Sequence, residues 1–135
     1  MTVLIVDGQG GRLGKQLVKE VRERFPQLPL MAVGTNSMAT ESMLKAGAPR
    51  AATGENAVVV ACRKADVIIG PVGIVIADAL LGEVTPTMAK AVGQSDAVRI
   101  LLPSDKCDTF IAGVGSTGMS ALVEDAMDKL ASLLK

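Results

Sequence analysis

Apolar residues along this chain fall into two alternating patterns: short unbroken runs, and runs spaced at three to four residues. TVLIV at residues 2 to 6 is short, β-branched and unbroken, as a strand covered on both faces would be. RLGKQLVKEVRERF then places Leu13, Leu17, Val21 and Arg24 or Phe25 on one helical face, with charges on the other. Pro26 stops that helix, and LPLMAVG reads as a second buried strand leading into the helix caps Thr35-Asn36-Ser37. SMATESMLKAG is the second helix, RAAT a third short strand, and ENAVVVACRK a helix whose valines leave a strand open as an alternative. The run from Asp66 to Ile69 is the fourth strand, broken by Gly70-Pro71.

Beyond it, GIVIADALL is apolar nearly all round and predicts a buried or interface helix, and TPTMAKAVGQ predicts another with Thr85 as cap and Pro86 in its first turn. AVRILLPS and CDTFIAGV predict two strands joined by a connection at Ser104 to Lys106, short enough to require them to be antiparallel neighbours if they pair. The last helix puts Met119, Leu122, Val123, Ala126, Met127 and Leu130 on one face. The alternation predicts one α/β domain over residues 1–135, a Rossmann-like three-layer sandwich with a mainly parallel sheet in the order 3-2-1-4-5. An antiparallel edge strand is expected near the C-terminus. The topological switch point then lies between strands 1 and 4, where a ligand crevice is expected.

The turn after strand 1, DGQGGRLGK, carries the chemistry. Its glycines at 8, 11 and 14 match G-x-x-G-x-x-G, and a strand before and a helix after supply the context in which backbone N–H groups cradle a phosphate. The alternative is a tight turn needed only for the fold. A P-loop is excluded by counting, because Gln9 and Gln16 stand where glycine and a magnesium-holding hydroxyl are required. An NAD site calls for an acidic residue at the end of strand 2, where Gly34, Thr35 and Asn36 stand instead; with Arg12 nearby, these donors suit a 2'-phosphate and rank NADP above NAD. Candidate cofactor-binding residues are therefore Gly8, Gly10, Gly11, Arg12, Gly14, Gly34, Thr35, Asn36, Gly70 and Gly73. Glu55 and Asn56, on the turn after strand 3, are candidate substrate contacts.

The leading expectation is a nucleotide- or dinucleotide-binding protein, a sensor or one subunit of a larger enzyme, in which Gly11→Asp abolishes binding and leaves the fold. A second is a small enzyme for a phosphorylated metabolite, with Asp7, Lys15 and Glu55 as candidate catalytic groups and Asp7 as the candidate ligand of a magnesium ion. A third is a structural homo-oligomer in which GIVIADALL forms the contact. Asp7 equally suits hydrogen bonding to the N–H groups of its own turn, and Glu83, after Gly82, reads as solvated.

Composition narrows the classes. The 135 residues are 49% apolar, which suffices for one core and not for a cofactor domain plus a substrate domain. Fourteen basic residues balance fourteen acidic ones, and Phe25 and Phe110 are the only aromatics, so nucleic acid has neither field nor stacking platform. With no histidine, Ser-His-Asp and Cys-His nucleophiles and the usual zinc sets are absent. Cys62 and Cys107 lack CxxC spacing and read as reduced, inert thiols in a cytoplasmic protein without a membrane span.

Taken in order, GQGG, GTN, ATGENA and ADVIIGPVGIVIADALLGEVTP make the chain resemble, over nearly its whole length, a family of short bacterial proteins catalogued as a domain of unknown function. The resemblance implies a stand-alone Rossmann-like domain and transfers no catalytic residue. Residues 8 to 14 are also similar to the glycine turn of dihydrodipicolinate reductases. That likeness ends there, without a second domain or a histidine-bearing catalytic segment.

Overall fold

The computed structural model describes residues 1–104 and 108–135. Five strands form one sheet in the order β3-β2-β1-β4-β5: β1 Val3–Asp7, β2 Leu30–Gly34, β3 Ala51–Thr53, β4 Val67–Pro71 and β5 Val98–Leu102. Every pairing is parallel, with Val3 opposite both Leu30 and Val67. β1, β2 and β4 are buried at every position, which is why their sequences run apolar without alternation.

Helices cover both faces. Val3, Ile5, Leu30, Ala32, Val67 and Ile69 point to one side, against Leu17, Val18 and Val21 of α1 (Arg12–Arg24) and Val123, Met127 and Leu130 of α5 (Met119–Leu133). Met43 of α2 (Ser37–Lys45) joins the same cluster. Leu4, Val6, Met31, Val33 and Ile68 point to the other side, against α3 (Glu55–Lys64) and α4 (Pro86–Gly93). The chain winds outward from β1 to β3, then crosses by α3 to β4 on the far side of β1. The switch point between β1 and β4 opens at their C-terminal ends, as the order requires.

Two expectations give way. Residues 108–114 form no strand, and β5 is the last strand on its side of the sheet. Phe110, Ile111 and Val114 are exposed, and the backbone turns through Ala112 and Gly113, whose φ of 87° belongs to a turn and not a ladder. Gly115 and Gly118 then offer no side chain to pack against a partner strand. Residues Ser104 to Lys106 were expected to join the strands; Asp105 to Cys107 lie outside the described residues.

GIVIADALL is not a helix either. Val72–Val75 form one 3-10 turn, and residues 77–83 form a chain of turns in which Asp78, Leu80, Leu81 and Gly82 all have positive φ. The β-branched Val72, Ile74, Val75 and Ile76 are poor helix formers, and the segment buries Ile74, Ala79, Leu80 and Val84 in the core that α3 and α4 share with the sheet. Leu81 is fully exposed, with Ala77 also exposed, on turns and not on the helix expected there. Asp78 lies exposed in these turns. Among the described residues no helix is long and apolar enough to cross a membrane.

Candidate functional site

Two carboxylates meet the glycine turn. Gly11 caps α1 with no side-chain acceptor, and the buried Asp7 supplies one, taking the Gly14 N–H at 2.6 Å. This carboxyl group sits at the positive end of α1, where helix polarity favours an acidic side chain. The Gly11 N–H closes the turn on Gly8 O, and Gln9 between them has φ 48°, an unusual conformation for a residue with a side chain.

Glu83 accepts from that unusual peptide and from two neighbouring donors. Its Oε1 accepts from the Gln9 N–H at 2.8 Å, from Thr35 Oγ1 at 2.7 Å and from Asn36 Nδ2 at 2.7 Å. Asn36 Nδ2 also donates to Gln9 O, while Asn36 Oδ1 accepts from Ala39 N as the cap of α2. Burial works to raise the Glu83 pKa, and the donors Gln9, Thr35 and Asn36 more than offset it, so the carboxyl lies below its usual range. A carboxyl depressed in this way adds stability that is present above the ordinary carboxylate pKa and is lost as pH falls through the lowered value. Thermal scans from about pH 6 to about pH 3 should therefore show a smaller acid loss in Glu83→Gln than in the wild type; identical slopes would remove this linkage.

The motif glycines divide by what a side chain would meet. A Cβ at Gly8 would lie 2.6 Å from Thr35 Oγ1, at Gly11 2.8 Å from Ala39 Cα, and at Gly14 2.7 Å from Met43 Sδ. Close packing of α1 on β1 and α2 explains Gly11 and Gly14, whereas Gly8 is crowded by Thr35 and by Leu80 and Glu83 of the turns after β4. Gly10 has nothing within 4 Å of such a Cβ and is exposed.

A cleft of about 640 Å³ opens over this turn at the switch point. Its floor is Asp7 to Leu13, with Pro71, Leu80 and Leu102 beside it, and its outer wall is the segment from Thr109 to Leu122. That wall mixes apolar Phe110, Val114 and Met119 with the hydroxyls of Thr109, Ser116 and Thr117. Phe110 is 92% exposed, an aromatic face turned to the cleft and solvent. An apolar wall, a few hydroxyls and a glycine floor at a helix N-terminus are the makings of a small-molecule site.

Of the residues singled out from sequence, Asp7, Gly8, Gly10, Gly11 and Arg12 line the cleft together. Gly14, Gly34, Gly70 and Gly73 are buried and do not line the cleft, while Thr35 and Asn36 are taken up by Glu83. Lys15, Glu55 and Asn56 are exposed outside the cleft lining. Among the described residues no group of three or more acidic or cysteine side chains is arranged to hold a metal. Sequence reasoning reads Glu83 as solvated and the segment CDTFIAGV as a strand, and so places neither Glu83 nor the wall at 109–119 in the site.

Cys62 on α3 is 4% exposed, and burial pushes its thiol up to about 11. Iodoacetamide at about pH 8, near the usual thiol value, should leave Cys62 unlabelled in the folded protein and label it in guanidinium. Peptide mapping by mass spectrometry reads the result, and prompt native labelling would contradict the burial.

Compared with known proteins, the chain matches over residues 2–135 the family model described as Domain of unknown function (DUF3842). No curated protein and no solved structure matches it.

Proposed function

We propose for this chain, which belongs to the Domain of unknown function (DUF3842) family, a role in binding a phosphate-bearing nucleotide, as a sensor or as one subunit of a larger enzyme. The observation that carries the reading is the cleft at the switch point, floored by Gly10, Gly11 and Arg12 and walled by Phe110 and Met119. A phosphate set on the floor meets the first-turn amides of Arg12 and Leu13, which have no intrahelical acceptor, and the Arg12 guanidinium. A planar base set on the wall meets Phe110, with Ser116 and Thr117 as hydrogen-bonding neighbours.

Asp7 serves in this reading as the brace of the turn, through its bond to Gly14. The floor then needs Arg12, and no magnesium ion, to offset the phosphate charge. Toward the end of β2 the Gln9 N–H, Thr35 and Asn36 donors are held by Glu83, so a preference for NADP over NAD among dinucleotides requires that carboxylate to leave them.

Native mass spectrometry of protein taken directly from cells, followed by thermal shifts with ATP, GTP, NAD and NADP with and without magnesium, tests the proposal. Gly10→Asp is the decisive variant, since it adds negative charge to the floor where a side chain has open space. Binding should fall at least about tenfold, about 1.4 kcal/mol, with circular dichroism unchanged. Undiminished affinity in the folded variant, or no nucleotide retained or stabilising in the wild type, would overturn the reading.

A further inference from the structure

We infer that the Gln9 N–H, Thr35 Oγ1 and Asn36 Nδ2 form a subsite for one anionic phosphate oxygen, and that Glu83 is its resident internal occupant. Three donors from two separate turns converge on the single atom Glu83 Oε1, at 2.7 to 2.8 Å. The space exists because Gly8 has no side chain: a Cβ there would approach Thr35 Oγ1 to 2.6 Å and Glu83 Oε1 to 3.1 Å. The residues that carry the donors also have ties other than Glu83. Asn36 caps α2 through its other amide atom, Thr35 N bonds to Asp7 O, and Asn36 also holds Gln9 O.

The occupant is not fixed in the same way. Val84 and Leu80 anchor the backbone on either side in the core, whereas the partly exposed Glu83 meets the subsite only at its carboxylate. Rotation about its side-chain bonds withdraws the carboxylate while the backbone stays in place. A phosphate oxygen, being anionic and accepting several N–H and O–H bonds, replaces a carboxylate oxygen without new chemistry. The subsite adjoins the glycine turn at its β2 side, while the cleft lies on its β4 and β5 side. Glu83 thus sets how far along the turn a ligand extends. This last point rests on the nucleotide reading; the existence of the subsite does not.

Calorimetry with inorganic phosphate on the full chain tests the inference in the wild type, Glu83→Ala and Glu83→Gln. Glu83→Ala vacates the subsite and should bind phosphate at least tenfold more tightly than the wild type. Glu83→Gln removes the charge and keeps an oxygen among the donors, so its gain should be clearly smaller. Adding Thr35→Val to Glu83→Ala should reverse most of the gain. Equal gains in the Ala and Gln variants mean charge removal alone, and overturn the proposal. No gain in a folded Glu83→Ala protein does so as well, and so does failure of that variant to fold, which would make Glu83 a structural brace. If phosphate shows the expected pattern while no nucleotide binds any variant, the subsite stands and the nucleotide reading falls.

Discussion

Gly70→Ala is expected to lower the thermal midpoint by roughly 10 °C, corresponding to about 3 kcal/mol or more in a domain of this size. Gly70 lies in β4, next to the central strand, and a Cβ there would overlap the carbonyl oxygen of Val6 on β1 and come within 2.9 Å of Ile74 Cδ1. The first obstacle is backbone, so no rotamer change relieves it. Relief requires β1 and β4 to separate, and the regular ladder between them already ends at Ile5 and Ile69. Separation would disturb Val6, Ile68 and Ile74, which share the core on that face. The measurement is a thermal or urea melt of the purified variant. A midpoint within about 2 °C of the wild type, well under the shift that 1 kcal/mol gives, would mean that the strands part at little cost. The same test settles why this glycine is there, since its sequence position suggests a ligand and its surroundings supply a packing reason.

The fold was legible where pattern and burial agree. β1, β2 and β4 read as unbroken apolar runs because both faces of the sheet are covered, and Thr85 caps α4 ahead of Pro86 as its spacing indicates. The strand order followed from the alternation of elements, and with it the place of the crevice. Legibility failed where apolar residues have no periodic backbone to serve. Ile74, Ala79, Leu80 and Val84 are core residues on successive turns, so their hydrophobicity mimicked a helix. Phe110, Ile111 and Val114 mimicked a strand and instead wall the cleft. Glu83 was hidden for another reason. Its partners Gln9, Thr35 and Asn36 lie 74, 48 and 47 residues away, and no short-range motif encodes a contact at that separation. Its neighbours Gly82 and Val84 signal only a turn.

The glycines of the turn show how a binding motif and a packing motif share one sequence, and Gly11→Asp separates them. The sequence suggests that this variant loses ligand and keeps its fold; the structure leads to the opposite expectation for the fold. Gly11 has φ 73°, and a Cβ there would stand 2.8 Å from Ala39 Cα and 3.0 Å from Ala39 O on α2. The left-handed backbone costs a residue with a side chain roughly 1 to 2 kcal/mol, and displacing a packed helix adds about 1 to 3 kcal/mol. The total, about 2 to 5 kcal/mol, is a large share of the roughly 5 to 15 kcal/mol that holds a domain together. α2 cannot simply recede, because Asn36 at its N-terminus is tied to Gln9 and Glu83 and Met43 is buried in the core. Urea melts of Gly11→Asp and Gly10→Asp, run side by side, should place the first far below the wild type and the second close to it. Equal midpoints would mean that α1 and α2 yield freely at Gly11. If they differ as expected, loss of ligand in Gly11→Asp carries no information about the phosphate, and only Gly10, open to the cleft on a backbone that accepts a side chain, reports on what the turn binds.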